Sequence, residues 1–191
     1  MASTLMHLYA GNKIVAKHEE IADLPLFYLG CILPDWGDTK EIRRLSHLRS
    51  NDMNAWYKNN IDFYRRNAAS VNNDLLLGYI IHNITDAAYD EHFNVKVRDF
   101  RFDYDQRNEV WWTNEVLPAL NNADPMEINR INKILAAMYT SEIQVNMPDI
   151  QRIVDDSNAS YPESAPVLVT IEMMDELSDI VYKIVTDAIQ I

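Results

Sequence analysis

Cysteine occurs once in the 191 residues, as Cys31, so no disulfide can close within the chain. A lone cysteine is most simply a buried thiol in a reducing compartment. Glycine is scarce at four residues and proline contributes seven, which argues against a Gly/Pro-rich β-sandwich and for helices. No stretch approaches the ~18 consecutive apolar residues of a membrane-spanning helix. The first residues, Met1-Ala2-Ser3-Thr4-Leu5-Met6-His7, lack the charged region and apolar core of a signal peptide, so a cytoplasmic protein without a transmembrane segment is expected. Basic residues number 17 against 29 acidic ones, a net charge of −12. That balance disfavours stable binding to a nucleic-acid backbone, which uses basic surface. Bound metal ions can reverse the sign inside a cleft, so charge alone leaves nuclease chemistry open.

Hydrophobic residues make up 48% of the chain, enough for one compact domain with a sizeable core. The expected architecture is an all-α, single-domain multi-helix bundle over residues 1–191. It divides into a candidate metal-binding half, 1–94, and a C-terminal helical half, 95–191. Ser3-Thr4 can cap a first helix through Lys17, with Leu5, Leu8, Ile14 and Val15 apolar and His7 in its first turn. Asp23-Leu24-Pro25 opens a second, short helix that is almost wholly apolar until Pro34 ends it, and Asp35 follows at once. Residues 37–50 are polar and read as a loop carrying His47. Ser50-Asn51-Asp52 caps a third helix through Ala69, with Trp56, Asn60, Phe63 and Tyr64 on or near its inner stripe. After the longest helix, which ends near Asn94, residues 95–107 read as a short strand or extended loop. Asp103 and Asp105 imitate the start of a calcium loop but lack its glycine and terminal glutamate. Helices are expected over 108–120, 124–138 and, after Met147-Pro148-Asp149, in a short segment. A polar loop over 157–166 and a final amphipathic helix over 167–191 complete the chain.

The longest helix carries the chemistry. At roughly 100° per residue, Leu75, Gly78, Tyr79, His82, Asp86, Tyr89 and Phe93 share one face, most of it apolar. His82 and Asp86, four residues apart, then project inward from adjacent turns. A buried ionised carboxylate is costly unless a cation or hydrogen-bond donors compensate it. A divalent metal is one solution, and a satisfied core histidine beside a capped or salt-bridged aspartate is the other. Asp35, taken alone, equally suits a turn or cap. Together, His7, Asp35, His47, His82 and Asp86 form an N/O set that suits Zn²⁺.

The order of these pieces resembles the zinc-dependent phospholipase C family and its relatives, the fungal single-strand nucleases. The matching pieces are an early helix histidine, His7, and an apolar helix ending in Leu33-Pro34-Asp35. They continue with Ser46-His47, His82-x-x-x-Asp86 on a long helix, and His92 six residues on. The resemblance spans roughly residues 4–93 and reaches nothing in the second half. It implies an all-α protein that hydrolyses a phosphodiester with zinc. Asp35, His47, His82 and Asp86 would hold one metal, Asp86 would bridge to a second bound by His7, and Asp35 would orient or deprotonate the attacking water. His92 is the last histidine, so the family's next metal, held there with a later His-x-x-x-Glu, is truncated or absent here. One metal is therefore expected, a second has fewer ligands and a third lacks them. His92 remains a further candidate ligand, although ten residues from His82 leave it some 80° off that direction at roughly 100° per residue.

The implied substrate is a small-molecule or lipid phosphodiester. The rival reading is a non-catalytic helical protein whose zinc serves folding, tying the first helix, the 37–50 segment and the central helix together. Phosphohydrolases built on an adjacent His-Asp dipeptide are excluded, because the chain contains no such dipeptide.

Overall fold

The computed structural model describes residues 4–93, 111–139, 143–158 and 169–189. The expected strand or loop over 95–107, Asp103 and Asp105, and most of the 157–166 loop lie outside the described residues. Within them the chain is mostly helical and has no strand, apart from one isolated antiparallel bridge between Gly37 and Val145. Helix α1 runs Thr4–Val15, α2 Leu24–Gly30, α3 Lys40–Ser46, α4 Met53–Asn67 and α5 Asn73–His92. A π-helical turn, Trp111–Val116, leads into α6, Leu117–Asn121. Then come α7, Met126–Tyr139, α8, Ile150–Asn158, and α9, Ile171–Ile189. No helix among the described residues is long and apolar enough to cross a membrane.

Side-chain oxygens start several of these helices by satisfying backbone N–H groups that have no partner inside the helix. Asp23 accepts from Leu26 N with Pro25 in the first turn, Asp52 from Ala55 N, and Asn72 from both Asp74 N and Leu75 N. The segment read as a loop over 37–50 is corrected here. Thr39 accepts from Ile42 N at 3.1 Å and starts the seven-residue α3, whose apolar Ile42 and Leu45 pack on the core. A second difference lies at Pro34. Helix α2 has already ended at Gly30, and Pro34 sits inside a 3₁₀ turn, Leu33–Trp36, where its missing N–H forfeits nothing.

Helix α5 is the axis, packed against α1, α2, α4 and α9. Every residue from Leu75 to Tyr89 is buried, so the helix is enclosed on all sides rather than amphipathic. Its closest neighbour is α2, through a crossing of two glycines. A Cβ on Gly78 would lie 2.1 Å from the Phe27 carbonyl oxygen, and one on Gly30 would lie 2.2 Å from that of Leu75. Backbone therefore rests on backbone, and this crossing sets where the end of α2 and the following 3₁₀ turn meet α5. Across the bundle, α9 is joined to α1 by Lys13–Asp175 at 2.9 Å, by Lys17–Asp179, and by Tyr9 OH donating to Asp175 at 2.8 Å. The hydrophobic core runs continuously from α1 into α9 and so draws on both halves of the chain.

Candidate metal centre

Four segments deliver the candidate ligands to one place. His7 comes from α1, Asp35 from the 3₁₀ turn, His47 from the C-cap of α3, and His82 and Asp86 from adjacent turns in the middle of α5. His47 Nε2 and His82 Nε2 are 3.1 Å apart. Asp35 Oδ1 lies 3.4 Å from His47 Nε2 and 3.9 Å from His82 Nε2. Asp86 places one oxygen 3.3 Å from His47 Nε2 and the other 3.5 Å from His7 Nε2. The His7 and His82 rings stack with centroids 3.6 Å apart. His7, His47, His82 and Asp86 side chains are 0–1% exposed, whereas that of Asp35 is 24% exposed.

Backbone carbonyls aim two of the rings. His82 Nδ1 is 2.7 Å from the Cys31 carbonyl, and His47 Nδ1 bonds the Arg43 carbonyl. A carbonyl can only accept, so each Nδ1 carries the proton and each Nε2 is turned toward the cluster. Cys31 itself is buried; its thiol takes no part, but its carbonyl does.

Burial on its own would push every one of these groups toward its neutral form. For His82 burial dominates, with the neighbouring His7 adding to it, and its pKa falls to about 3. His7 is likewise lowered, chiefly by burial and against the pull of Asp86. For His47 the same burial is outweighed by hydrogen bonds to Asp35 and Asp86, and its pKa is pushed up to about 10. Burial also opposes ionisation of the two aspartates. The His47 hydrogen bond and the neighbouring histidines overcome it at Asp86, and His82 with His47 overcome it at Asp35, so both carboxyls lie below the usual range. Without a metal, one proton on His47 Nε2 thus sits among His82 Nε2, Asp86 Oδ2 and Asp35 Oδ1. These same atoms are the donors a cation in this cluster would meet.

The donors fit a metal ion on two counts. Ligands about 2.1 Å from a tetrahedral zinc stand about 3.4 Å from one another, close to the 3.1, 3.3 and 3.4 Å separations around His47 Nε2. Among the described residues the fully buried His7 has no hydrogen-bond partner at either ring nitrogen, which is costly for a polar group unless it serves as a ligand. Two triplets, His7–Asp35–His82 and His47–His82–Asp86, each have donor atoms within 4.8 Å of one another. His92 stands apart from both. It ends α5 with a side chain 45% exposed and pairs with Glu91 at 3.6 Å.

The sequence reading missed the groups that hold this cluster in place. Asn83 Nδ2 donates to Asn60 Oδ1 at 2.8 Å and to the Ser46 carbonyl at 3.2 Å. Tyr79 OH donates to that same carbonyl at 2.6 Å, and Trp56 Nε1 to the His47 carbonyl at 2.9 Å. The available signal was a polar residue on an apolar stripe, namely Asn60 on α4 and Asn83 beside His82. Comparison of the chain with protein-family models, with curated proteins and with solved structures returns no match.

Proposed function

We propose that the chain is a zinc-dependent hydrolase of phosphate esters, foremost of a phosphodiester, in the manner of the zinc-dependent phospholipase C family. The observation that carries this reading is the convergence of five N/O donors from four segments, only one of which, Asp35, reaches solvent. A zinc ion held by Asp35, His47, His82 and Asp86 would lower the pKa of a water from 15.7 toward about 7 and polarise a phosphoryl oxygen.

The chain's own residues have distinct tasks in this scheme. His82 and Asp86, fixed in the middle of α5, and His47, held by Arg43, bind. Asp86, with one oxygen toward His47 and the other toward His7, would hold a second ion together with His7. Asp35 stays ionised at the solvent edge, where it can orient an entering water and accept its proton. A small phosphodiester or a lipid headgroup suits a chain of charge −12 better than a nucleic-acid polyanion does. A cytoplasmic setting, from the single cysteine, belongs to the same proposal.

The burial of four of the five donors also favours a second reading, a structural zinc, since structural sites are closed. Elemental analysis of protein purified without chelator or affinity-tag metal, paired with turnover of a chromogenic phosphodiester, separates the two. The hydrolase should carry near one equivalent or more of zinc and turn over the ester. Metal without turnover makes the structural role the better reading. Protein that is metal-free and indifferent to added zinc defeats both.

A further inference from the structure

Ser46 precedes His47, is fully buried, and touches every segment that supplies a ligand except α1. Its hydroxyl lies 2.7 Å from the Pro34 carbonyl and 2.8 Å from the Arg43 carbonyl. A hydroxyl has one proton and cannot donate fully to both. The Arg43 carbonyl already receives His47 Nδ1, so the Ser46 proton is best used on Pro34, the residue before Asp35. The Ser46 carbonyl is held from the other side by Tyr79 OH at 2.6 Å and Asn83 Nδ2 at 3.2 Å. Both donors belong to α5 and flank His82, three residues before it and one after. Asn83 is braced in turn by Asn60 of α4.

We infer that Ser46 is a positioning residue of the metal centre: through its hydroxyl it fixes Asp35 relative to His47, and through its carbonyl it fixes His47 relative to His82 and Asp86. This rests on the metal-binding reading of the cluster. The physical reason is leverage. Asp35 and His47 project from a 3₁₀ turn and a helix cap, which lack the rigidity of the middle of α5, and their facing atoms are 3.4 Å apart. Hydrogen bonds behind the ligands orient them, and losing one such partner weakens metal binding by about 10–100-fold.

The test uses the full chain loaded with Co²⁺, whose visible absorption reports ligand number and geometry, and Zn²⁺ affinity measured by competition with a chelating dye. Ser46→Ala should alter the Co²⁺ spectrum and weaken Zn²⁺ binding by about 10–100-fold. The control is Ser178→Ala on α9, which removes another buried hydroxyl, one that donates to Met174 O at 2.6 Å. It should lose comparable stability while leaving spectrum and affinity as in the native chain. Tyr79→Phe strips one donor from the Ser46 carbonyl and should shift both readouts in the same direction by less; it carries the test if Ser46→Ala does not fold. Native Co²⁺ spectrum and native Zn²⁺ affinity in the folded Ser46 variant, or in Tyr79→Phe when that variant stands in for it, overturn the inference and leave the metal site intact. Failure of the unmodified chain to bind either ion overturns the metal reading and this inference together.

Discussion

The Gly30–Gly78 crossing links helix packing to the candidate metal centre, and Gly78→Ala tests that link directly. The added methyl would stand 2.1 Å from the Phe27 carbonyl oxygen and 3.0 Å from Cys31 N. Both obstacles are backbone, so no side chain can rotate away. An ordinary carbon–oxygen contact needs roughly an ångström more, and α2 must back off α5 by about that amount. Overpacking of this kind costs about 1–3 kcal/mol or more, against about 0.5–1 kcal/mol regained from replacing a helical glycine. A net loss of about 2 kcal/mol lowers Tm by about 4–8 °C in a chain of this size. The same displacement carries the Cys31 carbonyl off His82 Nδ1, now at 2.7 Å, and frees the ring to turn. Zinc affinity should then fall by about 10-fold or more. Gly11→Ala is the matched control, since the nearest atoms to its methyl would be the side-chain Cys31 sulfur at 2.8 Å and Phe27 Cε1 at 3.4 Å. It should melt closer to the native chain. Thermal melting and dye competition on all three proteins give the answer. A Gly78→Ala protein that melts with the native chain and binds zinc as tightly would refute the idea that this crossing sets the ligand geometry.

Other outcomes follow from the same cluster. Asp35→Asn should remove most phosphodiester turnover yet keep much of the metal, because an amide oxygen can still coordinate but cannot take a proton; full turnover would place the base elsewhere. Asp86→Ala should lose metal and stability together, since it removes an anionic ligand and the acceptor beside His47 Nε2 and leaves a cavity in the bundle; a native melting curve would contradict that. His92→Ala should leave metal content unchanged, as the side chain faces solvent beside Glu91, and loss of an equivalent would restore it as a ligand. Metal-free protein should be most stable near pH 6.5. His47, raised to about 10, contributes stability fully present below 6.5 and lost as pH rises toward 10, while His82, lowered to about 3, costs stability as pH falls below 6.5, where the unfolded chain takes up a proton that the folded one does not. Zinc binding at neutral pH should release one proton, read as a buffer-dependent enthalpy in calorimetry; no dependence on buffer would show that His47 is already neutral.

Some of this was legible from residue types alone. Asp23-Leu24-Pro25 announces a capped helix, and it is one. His82 and Asp86 stand out because two polar side chains interrupt a long apolar run, and they do lie on the inside together. His47 caps the end of α3 and does not sit in the loop expected over 37–50. Helix α3 is short and carries Lys40, Glu41, Arg43 and Arg44, so only Ile42 and Leu45 betray a buried side, and the Thr39 cap was overlooked. The stripe drawn on α5 was too narrow for a helix enclosed all round, where Ile80, Ile81, Ile84, Ala87 and Ala88 are as buried as His82. The Gly30–Gly78 contact has no local signature, because either glycine alone reads as a mild helix weakener. The carbonyls of Cys31 and Arg43 are beyond any reading of side chains: they orient the ligands whatever residue bears them.

On the proposed metal-binding reading, charge favours a divalent ion over a proton in this cluster. Among the described residues, two carboxylates, Asp35 and Asp86, face one positive charge on His47 in the metal-free protein, while burial favours neutral His7 and His82. Burial keeps both of the stacked rings, His7 and His82, from taking up a further proton at neutral pH. Counted over the described residues, the cluster therefore carries more negative than positive charge, which is costly away from water. Replacing the His47 proton with a divalent ion sets two positive charges against two negative ones and turns His47 Nε2 into a ligand. A monovalent ion in the same place would leave the imbalance as it was. Neutrality alone would suit a structural site equally well. The difference lies at Asp35, the one candidate ligand with a quarter of its side chain in solvent, because in the proposed hydrolase water and ester would have to enter on that side.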